Sequence, residues 1–493
     1  MRVTAPILRH GKSCADAEAI IDGDRTITYC ELTKLILLTV THLADLGVSP
    51  RDRIGICMAD SADHLIILLA LAQLGAVAVP LDWRARGPEN ESLITAARIT
   101  LVLVGPEAAP IKACPSVTVD AVWHSSVARA NGVPEFAGDW HDPFIISATS
   151  GSSGAPKLTL MTHIQYFFAA AGLREVLGLA GRHRYFNTLP LYYASGRNCC
   201  LTHLLRGDCV VLYPSLFDAH EYVEAADRSR ATVAALVPSM VRRLLANAGN
   251  RPLLPGITAL FSTGAMLSAD EKRQALRQLT PGFHERYGTA ETLAIAVLRP
   301  EAIADRANSV GQPHSLGEVE VVDDDGRPLP PGAVGKLRYR SPGVASPLAG
   351  TTSEQSFRDE WFYPGEMARL DELFYIFLEG RASEVIVQSG GVKIHPDEVE
   401  RVLRECEGVV EAAVLGSDAA EDEQEVVAFL VAEREMTPGE LIAQCRRRLT
   451  AHKVPARFHF VAALPTNTAG KIDKLQLRKL DADGCPPKDD PNE

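Results

Sequence analysis

The sequence predicts an α/β protein: a large N-terminal domain of parallel α/β sheets with a β-rich subdomain, followed by a small α+β C-terminal domain. Strand-like and helix-like segments alternate up to about residue 237, strand and turn patterns dominate beyond residue 317, and a second strand–helix series begins near residue 381. At 493 residues the chain also exceeds what one compact core accommodates. We therefore expect domains at 1–382 and 383–480 and a disordered tail at 481–493.

The N-terminal elements are predicted from hydrophobic periodicity and from the glycines that end helices. Helical spacing covers residues 29–46 and stops at Gly47, and a second helix, 62–74, stops at the turn residue Gly75. Short apolar strands are predicted between helices at residues 53–58, 76–80, 100–104, 144–148, 209–213 and 234–237. Strands that are apolar throughout and alternate with helices indicate parallel sheets with both faces covered.

Beyond residue 317 the predicted elements are mainly strands and turns, followed by a mixed series of strands and helices. Strands at 318–322 and 335–339 flank the turn 324–326, and 365–377 continues this β-rich, hairpin-like part. The C-terminal series is predicted as a strand at 385–388, a helix at 396–406, strands at 409–415 and 425–432, a helix at 438–449 and a strand at 457–461. This order is that of a small α+β domain.

Composition excludes several classes of function. The net charge of -12 argues against a nucleic-acid partner, since phosphate backbones require clustered Lys and Arg. The ten cysteines show no CxxC spacing and the histidines no HExxH pattern, so reduced thiols are expected rather than disulfides or zinc. The longest apolar stretch, 65–81, contains Gln73 and Gly75, which favours a buried helix and strand over a membrane span. Without a visible signal segment, we expect a cytoplasmic protein and no membrane partner.

A Ser/Gly-rich loop follows the strand at 144–148. It consists of Thr149, Ser150, Gly151, Ser152, Ser153 and Gly154, and closes with Pro156 and Lys157. Small residues let backbone N–H groups and hydroxyls surround a phosphate, to which the lysine adds positive charge. A flexible linker is the alternative. The loop is not a Walker A motif, because GxxxxGK[ST] is absent.

Three further motifs carry polar groups, although each alone is equally typical of a turn or a surface ion pair. They comprise the run Tyr287, Gly288, Thr289, Ala290 and Glu291; the group Glu366, Arg381, Ser389, Gly390, Gly391 and Lys393; and Lys471 on a Gly-containing loop. A carboxylate can hold Mg²⁺ beside phosphates, and a carboxylate with an arginine can bind ribose hydroxyls.

In this order the four motifs resemble the adenylate-forming superfamily, which includes acyl-CoA synthetases, aryl-CoA ligases, peptide-synthetase adenylation domains and luciferases. The similarity extends over nearly the whole chain, most closely to bacterial acyl- or aryl-CoA ligases. It implies ATP, Mg²⁺ and coenzyme A as cofactors, AMP as a product, and a mobile C-terminal domain that rotates between two half-reactions.

The resemblance also implies a role for each motif residue. The loop from Thr149 to Lys157 would hold the β- and γ-phosphates, and Glu291 would hold Mg²⁺. Gly264, Ala265 and Tyr287, with Gly288 and Thr289, would line the nucleotide site, and Glu366 and Arg381 would hold the ribose. Lys471 would reach the carboxylate and the α-phosphate. Ser383 takes the hinge position, and Ser389, Gly390, Gly391 and Lys393 would face the thiol tunnel.

The sequence departs from the family pattern on the ATP side. The usual Asp after Thr-Gly is Glu366, the usual Thr before the metal-binding Glu is Ala290, and a Tyr192-Tyr193 pair replaces the aromatic-His pair. One hypothesis is therefore that adenylation is slow or lost, so that the enzyme ligates a pre-formed acyl-AMP, supplied by a partner adenylating enzyme, to CoA. The alternative is tolerated drift in a fully active ligase.

The acyl pocket implied by the resemblance is mostly apolar. Its expected residues are Tyr192, Tyr193, Ser195, Val237, Met240 and Ala296. No acidic residue lies between 189 and 198 to hold an amine, so an amino-acid substrate is disfavoured, whereas aryl, fatty and polycyclic acids remain open. A carrier-protein phosphopantetheine thiol and a non-catalytic acyl- or nucleotide-binding relic are the competing interpretations.

Overall fold

The structure is a computed structural model, and it describes residues 2–85, 88–132, 138–149, 157–213, 217–249, 251–381, 384, 386–388, 392–420, 423–466 and 472–482. The chain divides into two compact units. The first comprises Met1–Val319 and Tyr339–Phe362, and the second comprises Glu320–Arg338 and Tyr363–Glu493. The predicted boundary at 382/383 lies outside the described residues and stays a prediction.

Helices and strands alternate through the first part of the chain. The helices are α1 (Ala5–Ser13), α2 (Tyr29–Asp45), α3 (Ala62–Leu74), α4 (Pro88–Ala97), α5 (Ala121–Arg129), α6 (His163–Leu177), α7 (Ala194–Arg206), α8 (Ala219–Arg228), α9 (Pro238–Leu245), α10 (Ala269–Gln278), α11 (Ile303–Arg306), α12 (Pro396–Arg404), α13 (Pro438–Cys445) and α14 (Lys474–Ala482). Short 3₁₀ turns cover Pro300–Ala302, Thr352–Ser356 and Ala451–Lys453.

The strands follow the same chain order. They are β1 (Glu18–Asp22), β2 (Arg25–Thr28), β3 (Arg53–Cys57), β4 (Val77–Pro80), β5 (Leu101–Val104), β6 (Ser116–Thr118), β7 (Pro143–Thr149), β8 (Lys157–Thr162), β9 (Arg184–Asn187), β10 (Cys209–Leu212), β11 (Val233–Leu236), β12 (Ala259–Thr263), β13 (Phe283–Tyr287), β14 (Ala296–Leu298), β15 (Gln312–Pro313), β16 (Glu318–Val322), β17 (Gly335–Arg340), β18 (Ser346–Pro347), β19 (Phe357–Arg358), β20 (Trp361–Phe362), β21 (Glu366–Leu370), β22 (Ile376–Arg381), β23 (Ile386–Gln388), β24 (Val392–Ile394), β25 (Val409–Ala420), β26 (Glu423–Ala432) and β27 (Arg457–Phe460).

The first unit holds two large, mainly parallel sheets, which confirms the predicted fold class. One has the order β15-β14-β13-β12-β11-β9-β10-β1-β2, with β13, β12, β11, β9, β10 and β1 parallel and the remaining strands antiparallel at its edges. The other has the order β18-β8-β7-β4-β3-β5-β6, with β8 and β18 antiparallel at one edge. The interior strands are apolar because helices cover both faces.

The predicted helix at 62–74 shows why the apolar stretch is a core element. In α3 nearly every side chain from Leu65 to Leu74 is buried in the main core of the first unit, and the helix ends at Gly75 with φ +93°. A left-handed φ without steric penalty is available to glycine, so the chain turns there into β4. Among the described residues, no helix is long and apolar enough to cross a bilayer.

The second unit contains the predicted β-rich part and the α+β series. The strands β21 and β22 pair antiparallel, and Gly335 of β17 pairs with Ala368 of β21. A second sheet, β25-β26-β27, has its own core with α12 and α13, centred on Val399, Leu403 and Leu441. The strand predicted at 409–415 is longer than expected and reaches Ala420, because its partner β26 continues the pairing as far as Glu423.

Candidate active site

Several predicted site residues lie where neighbouring parallel strands end. The strands β9, β11, β12 and β13 are parallel neighbours, and they end at Asn187, Leu236, Thr263 and Tyr287. The segments that follow them contain, in turn, Tyr192, Tyr193 and Ser195; Val237 and Met240; Gly264 and Ala265; and Gly288, Thr289 and Glu291. Carboxyl ends of parallel strands share one edge of a sheet, the usual place for a ligand in such folds. The fold thus brings four separate predicted site segments to one edge.

Two glycines at this edge have conformations that a side chain would disturb. Gly264 has φ +95°, a region that favours glycine. A Cβ on Gly288 would come within 2.6 Å of the Leu293 carbonyl oxygen. Glycine therefore suits the backbone conformation directly after β12 and the close approach of another backbone segment directly after β13.

The turn after β13 holds Glu291 in place. The Thr289 N–H donates to Thr292 Oγ1 at 3.1 Å, and the Glu291 carbonyl accepts the Ala345 N–H at 2.8 Å. Glu291 is only 7% exposed, and its carboxylate has no hydrogen-bond or ion-pair partner among the described residues. The described residues therefore leave this carboxylate open to a ligand.

The residues around Glu291 fit a magnesium ion bound together with phosphates. Within the described ranges, no group of three or more His, Cys, Asp or Glu could hold a metal ion. Mg²⁺ needs no such group, because it keeps several waters and takes one or two carboxylates plus substrate phosphates. A single carboxylate at this edge is therefore compatible with the predicted role of Glu291, which stays a prediction.

The predicted acyl-pocket residues are half-buried or buried. The rings of Tyr192 and Tyr193 lie 4.4 Å apart, and the Arg84 guanidinium lies 5.3 Å from the centre of the Tyr192 ring. Val237 and Met240 pack against the main core, and Ala296 on β14 is directly opposite Tyr287. Their role as an acyl pocket stays a prediction.

The predicted phosphate loop connects two antiparallel strands. Thr149 ends β7 and pairs with Lys157, the first residue of β8. The Lys157 Nζ lies 3.5 Å from Ser356 Oγ, and Ser353 Oγ donates to the Leu158 carbonyl at 2.6 Å. Ser150, Gly151, Ser152, Ser153 and Gly154 lie outside the described residues, but the base of the loop is fixed on both sides.

In the second unit, Glu366 and Arg381 face each other. They are paired residues of β21 and β22, and the Arg381 Nε lies 3.9 Å from the Glu366 carboxylate. The Glu366 side chain is 15% exposed and that of Arg381 is 50% exposed. The two groups predicted to hold ribose are therefore adjacent and accessible, and this role remains a prediction.

The predicted hinge residue, most of the predicted thiol-tunnel loop and the predicted catalytic lysine are not among the described residues. Ser383, Ser389, Gly390, Gly391 and Lys471 lie outside the described residues, and of Lys393 only the backbone is described, in β24 opposite Val387. The ends of the Lys471 segment are nevertheless fixed. Thr466 and Ile472 form an antiparallel bridge, and the Asp473 N–H donates to the Pro465 carbonyl at 2.8 Å.

Sequence reasoning missed two groups of buried charges next to the site. Arg197, on α7, and Arg286, on β13, are buried beside predicted site segments. Lys272 forms a fully buried ion pair with Glu285, whose other oxygen accepts the Leu267 N–H at 3.2 Å. For Arg197 the sequence held a usable signal. It is the single Lys, Arg, Asp or Glu between residues 189 and 205, a mostly apolar stretch in which a charge is unusual.

Comparison with known proteins gives two consecutive family matches. Residues 8–348 match the family described as AMP-binding enzyme, and residues 398–471 match the AMP-binding enzyme C-terminal domain. The feruloyl-CoA synthase of an Amycolatopsis species is 30% identical over 96% of this chain and 97% of that protein. The indoleacetate–CoA ligase of Aromatoleum aromaticum is 28% identical, covering 97% and 98%. The 2-succinylbenzoate–CoA ligase of Bacillus licheniformis is also 28% identical, covering 94% and 96%.

Solved structures share the fold. The o-succinylbenzoate CoA synthetase of Bacillus subtilis, in complex with its acyl-adenylate intermediate, superposes with a TM-score of 0.86 at 24% identity, covering 96% of this chain and 97% of that one. ATP-bound MatB from Rhodopseudomonas palustris gives a TM-score of 0.88 at 24% identity, covering 97% and 99%. Both likenesses support the same arrangement of secondary structure.

Proposed function

The chain belongs to the AMP-binding enzyme family, and on that basis we propose that it is an acid–thiol ligase that joins a carboxylic acid to coenzyme A through an acyl adenylate. The observation that carries this proposal is the convergence of four predicted site segments at the carboxyl edge of one sheet, with Glu291 among them. The relatives that cover almost the whole chain are named CoA ligases or synthases, which supports the thiol as CoA.

The proposed reaction proceeds in two steps, adenylation of the acid and transfer of the acyl group to CoA. A carboxylate oxygen attacks the α-phosphorus of ATP, the bond between the α-phosphorus and the bridging oxygen breaks, and pyrophosphate leaves. The CoA thiolate then attacks the acyl carbonyl carbon, the bond to the phosphate oxygen breaks, and AMP leaves. The protein accelerates both steps mainly by holding reactants in line and by balancing charge.

We assign the protein groups as follows. The loop from Thr149 to Lys157 binds the β- and γ-phosphates, Glu366 and Arg381 bind the ribose, and Lys471 contacts the carboxylate and α-phosphate. Glu291 would hold Mg²⁺, which supplies charge neutralisation at the phosphates when bound. The positions of Glu291, Lys157 and the Glu366–Arg381 pair are compatible with these roles.

We further propose an aromatic acid as the substrate. The Tyr192–Tyr193 pair offers aromatic rings suited to packing against a flat ring, and the predicted pocket residues Val237 and Met240 are apolar. The relatives act on indoleacetate, ferulate and 2-succinylbenzoate by name, all of which carry an aromatic ring. Fatty acids would not use the aromatic pair in this way.

A second candidate is a ligase that has lost adenylation and receives its acyl-AMP from a partner enzyme. The observation that favours it is Glu366, one methylene longer than the usual Asp, whose carboxylate already lies 3.9 Å from Arg381. An ion pair between these residues competes with the ribose hydroxyls for the same carboxylate. A carrier-protein thiol in place of CoA is a further variant of the same chemistry.

The deciding experiment measures both half-reactions. ATP–pyrophosphate exchange is followed with indole-3-acetate, ferulate, 2-succinylbenzoate and a fatty acid, and CoA thioester formation is followed from the synthetic acyl-AMPs of the same acids. We expect exchange with at least one aromatic acid, and a Lys471→Ala variant that loses exchange.

Each result separates the candidates. Exchange with a fatty acid alone would contradict the aromatic substrate. No exchange combined with rapid thioester formation from acyl-AMP would establish the variant without adenylation. Exchange without CoA ligation, but with transfer to a phosphopantetheinylated carrier, would assign the carrier thiol. Absence of all these activities, with ATP still bound, would indicate a binding relic.

A further inference from the structure

Two buried arginines beside the site lack a charged partner. Arg197 is 1% exposed and Arg286 is 5% exposed. Among the described residues, no Asp or Glu lies within ion-pair distance of either guanidinium, and the Nε of Arg197 has no hydrogen-bond partner. Charges buried in this way are costly and are normally paired, so their counter-charge calls for an explanation.

Two other shielded cations have a carboxylate partner. Lys272, which is fully buried, pairs with Glu285, and Arg206, also on α7, pairs with Asp208 at 2.9 Å. The lack of a carboxylate partner among the described residues therefore distinguishes Arg197 and Arg286 from these two cations.

Arg197 connects the phosphate strand to the acyl-pocket turn. Its Nη2 donates to Ser147 Oγ at 2.9 Å, and its Nη1 donates to the carbonyls of Leu191 and Tyr192 at 3.1 and 2.9 Å. Ser147 lies on β7, two positions before Thr149, with which the predicted phosphate loop begins. The contacts of Arg197 thus link the strand before that loop to the predicted acyl-pocket turn.

Arg286 connects the two turns predicted to line the nucleotide site. Its Nε and Nη2 each lie 3.3 Å from Thr263 Oγ1, directly before Gly264, and Arg286 itself directly precedes Tyr287. Its Nη1 lies 3.0 Å from the sulfur of Cys199 on α7. Both guanidinium groups therefore adjoin the first half of α7 and contact strand ends or turns that are predicted to line the site.

We propose that Arg197 and Arg286 form a buried cationic pair whose counter-charge is supplied by the anionic reactants, the ATP triphosphate and the substrate carboxylate. The inference rests on the proposed function. Both residues are positioning residues: they hold the turns that contact the reactants, and their charge acts through a protein interior in which electrostatic interactions are stronger than in water. Burial lowers the pKa of Arg197 to about 10, which leaves it protonated at neutral pH.

The test compares ligands that share adenosine but differ in charge. Dissociation constants for adenosine, AMP and ATP are measured by isothermal titration or competition for the wild type, Arg197→Met, Arg286→Met and Arg197→Lys. We expect each Met variant to weaken the binding of ATP about tenfold to a hundredfold, because the lost interaction scales with ligand charge. The binding of AMP should weaken less, and that of adenosine about twofold at most. The Lys variant should retain most of the ATP affinity, since it keeps the charge.

Arg206→Met is the matched control. It removes a guanidinium from the same helix, but one that Asp208 already balances. We expect this variant to have a lower thermal stability and to change the dissociation constants of adenosine, AMP and ATP by the same factor.

Equal weakening of adenosine, AMP and ATP in the Arg197 and Arg286 variants would mean that the arginines only brace the fold, and would overturn the proposal. Because the two Met variants remove one charge each at different sites, the conclusion does not depend on the folding of one of them. A wild type that binds no ATP would instead refute the proposed function.

Discussion

The ribose-binding prediction depends on a single carboxylate. Glu366 and Arg381 are cross-strand neighbours, and the Glu366 side chain is largely shielded whereas that of Arg381 is half exposed. A shielded carboxylate beside an arginine is well suited to accept hydrogen bonds from two vicinal hydroxyl groups.

Replacing Glu366 by Gln should raise the KM for ATP about tenfold to a hundredfold, with a smaller change in kcat. The reason is that hydrogen bonds to a charged acceptor contribute about 1.5–3 kcal/mol. Steady-state kinetics at varied ATP, together with AMP binding, measure the effect. Glu379→Gln is the matched control, because Glu379 forms the analogous pair with Arg369 in the same strand pair. An unchanged KM in Glu366→Gln would remove this residue from the nucleotide site.

The buried Lys272–Glu285 pair positions the segment after β12. Glu285 accepts the Leu267 N–H, and Lys272 donates to the carbonyls of Ala307 and Ser309 at 2.7 and 3.0 Å. Lys272→Met leaves the Glu285 charge buried and unpaired, so we expect a loss of about 3–5 kcal/mol in the free energy of unfolding. Urea denaturation, monitored by tryptophan fluorescence, measures this loss in the free energy of unfolding.

The comparison for this prediction is an exposed pair on the same helix. Arg273 lies 3.1 Å from the exposed Asp270, and Arg273→Met should change stability by at most about 1 kcal/mol. Similar losses in both variants would show that the buried pair has no special role.

At the scale of elements, a charge cluster joins the start of α14 to α12. Lys474 Nζ lies 2.7 Å from Glu384 and 3.3 Å from Glu400, and Glu400 also accepts the Val414 N–H at 2.9 Å. Burial, reinforced by Glu400, raises the pKa of Asp397 to about 6, although Lys474 opposes the shift. Glu384 and Arg404 are the other charged groups that face Asp397.

This cluster should make α12 less stable as pH rises. The folded state holds the Asp397 proton more tightly than the unfolded chain, so its contribution is fully present below the usual Asp pKa near 3.8 and is lost as pH rises to about 6. Asp397→Asn should abolish this decline. Hydrogen exchange of peptides from α12 in the full chain, corrected for intrinsic rates, measures it between pH 4 and 7.

Asp325→Asn, in an exposed turn, provides the control and should keep the wild-type slope. If wild type and Asp397→Asn lose protection in parallel with pH, Asp397 is not the titrating group.

Most elements were predictable because they depend on local signals. The helix at 62–74 matches α3 at both ends, since Ser61 caps its N-terminus and Gly75 closes it. By contrast, β14, β15 and β18 have two or three residues each and exist through pairing with distant strands, which leaves little trace in local sequence. The helix predicted at 438–449 ends at Cys445, because the backbone tightens into i→i+3 turns there.

The site residues stay predictions. The resemblance and the motif order named the segments, whereas their common position at one sheet edge depends on topology. Arg197 and Arg286 were not predicted, because their partners Ser147, Leu191 and Thr263 are set by tertiary packing and not by spacing along the chain.

At the scale of the whole molecule, the two units have separate cores. The main core of the first unit is built on α2, α3 and the sheets, whereas α12, α13 and β25–β27 enclose a core of their own. All four tryptophans, at positions 83, 123, 140 and 361, belong to the first unit.

We therefore expect unfolding in two steps that different probes resolve. Tryptophan fluorescence in urea should report the first unit alone, while far-UV circular dichroism follows both, so the two curves should not coincide. A Val399→Ala variant, truncated in the core of the second unit, should shift only the circular dichroism curve by about 1–2 kcal/mol. Coincident curves in both proteins would show that the units unfold as one.

The bridge between Thr466 and Ile472 has a practical consequence for engineering. With the Asp473–Pro465 hydrogen bond it fixes both anchor points of a five-residue cassette, 467–471. We expect that segments of equal length from relatives can replace it while both anchors are kept. The reaction rate could then be varied through the segment that carries Lys471 with little change in the stability of the fold.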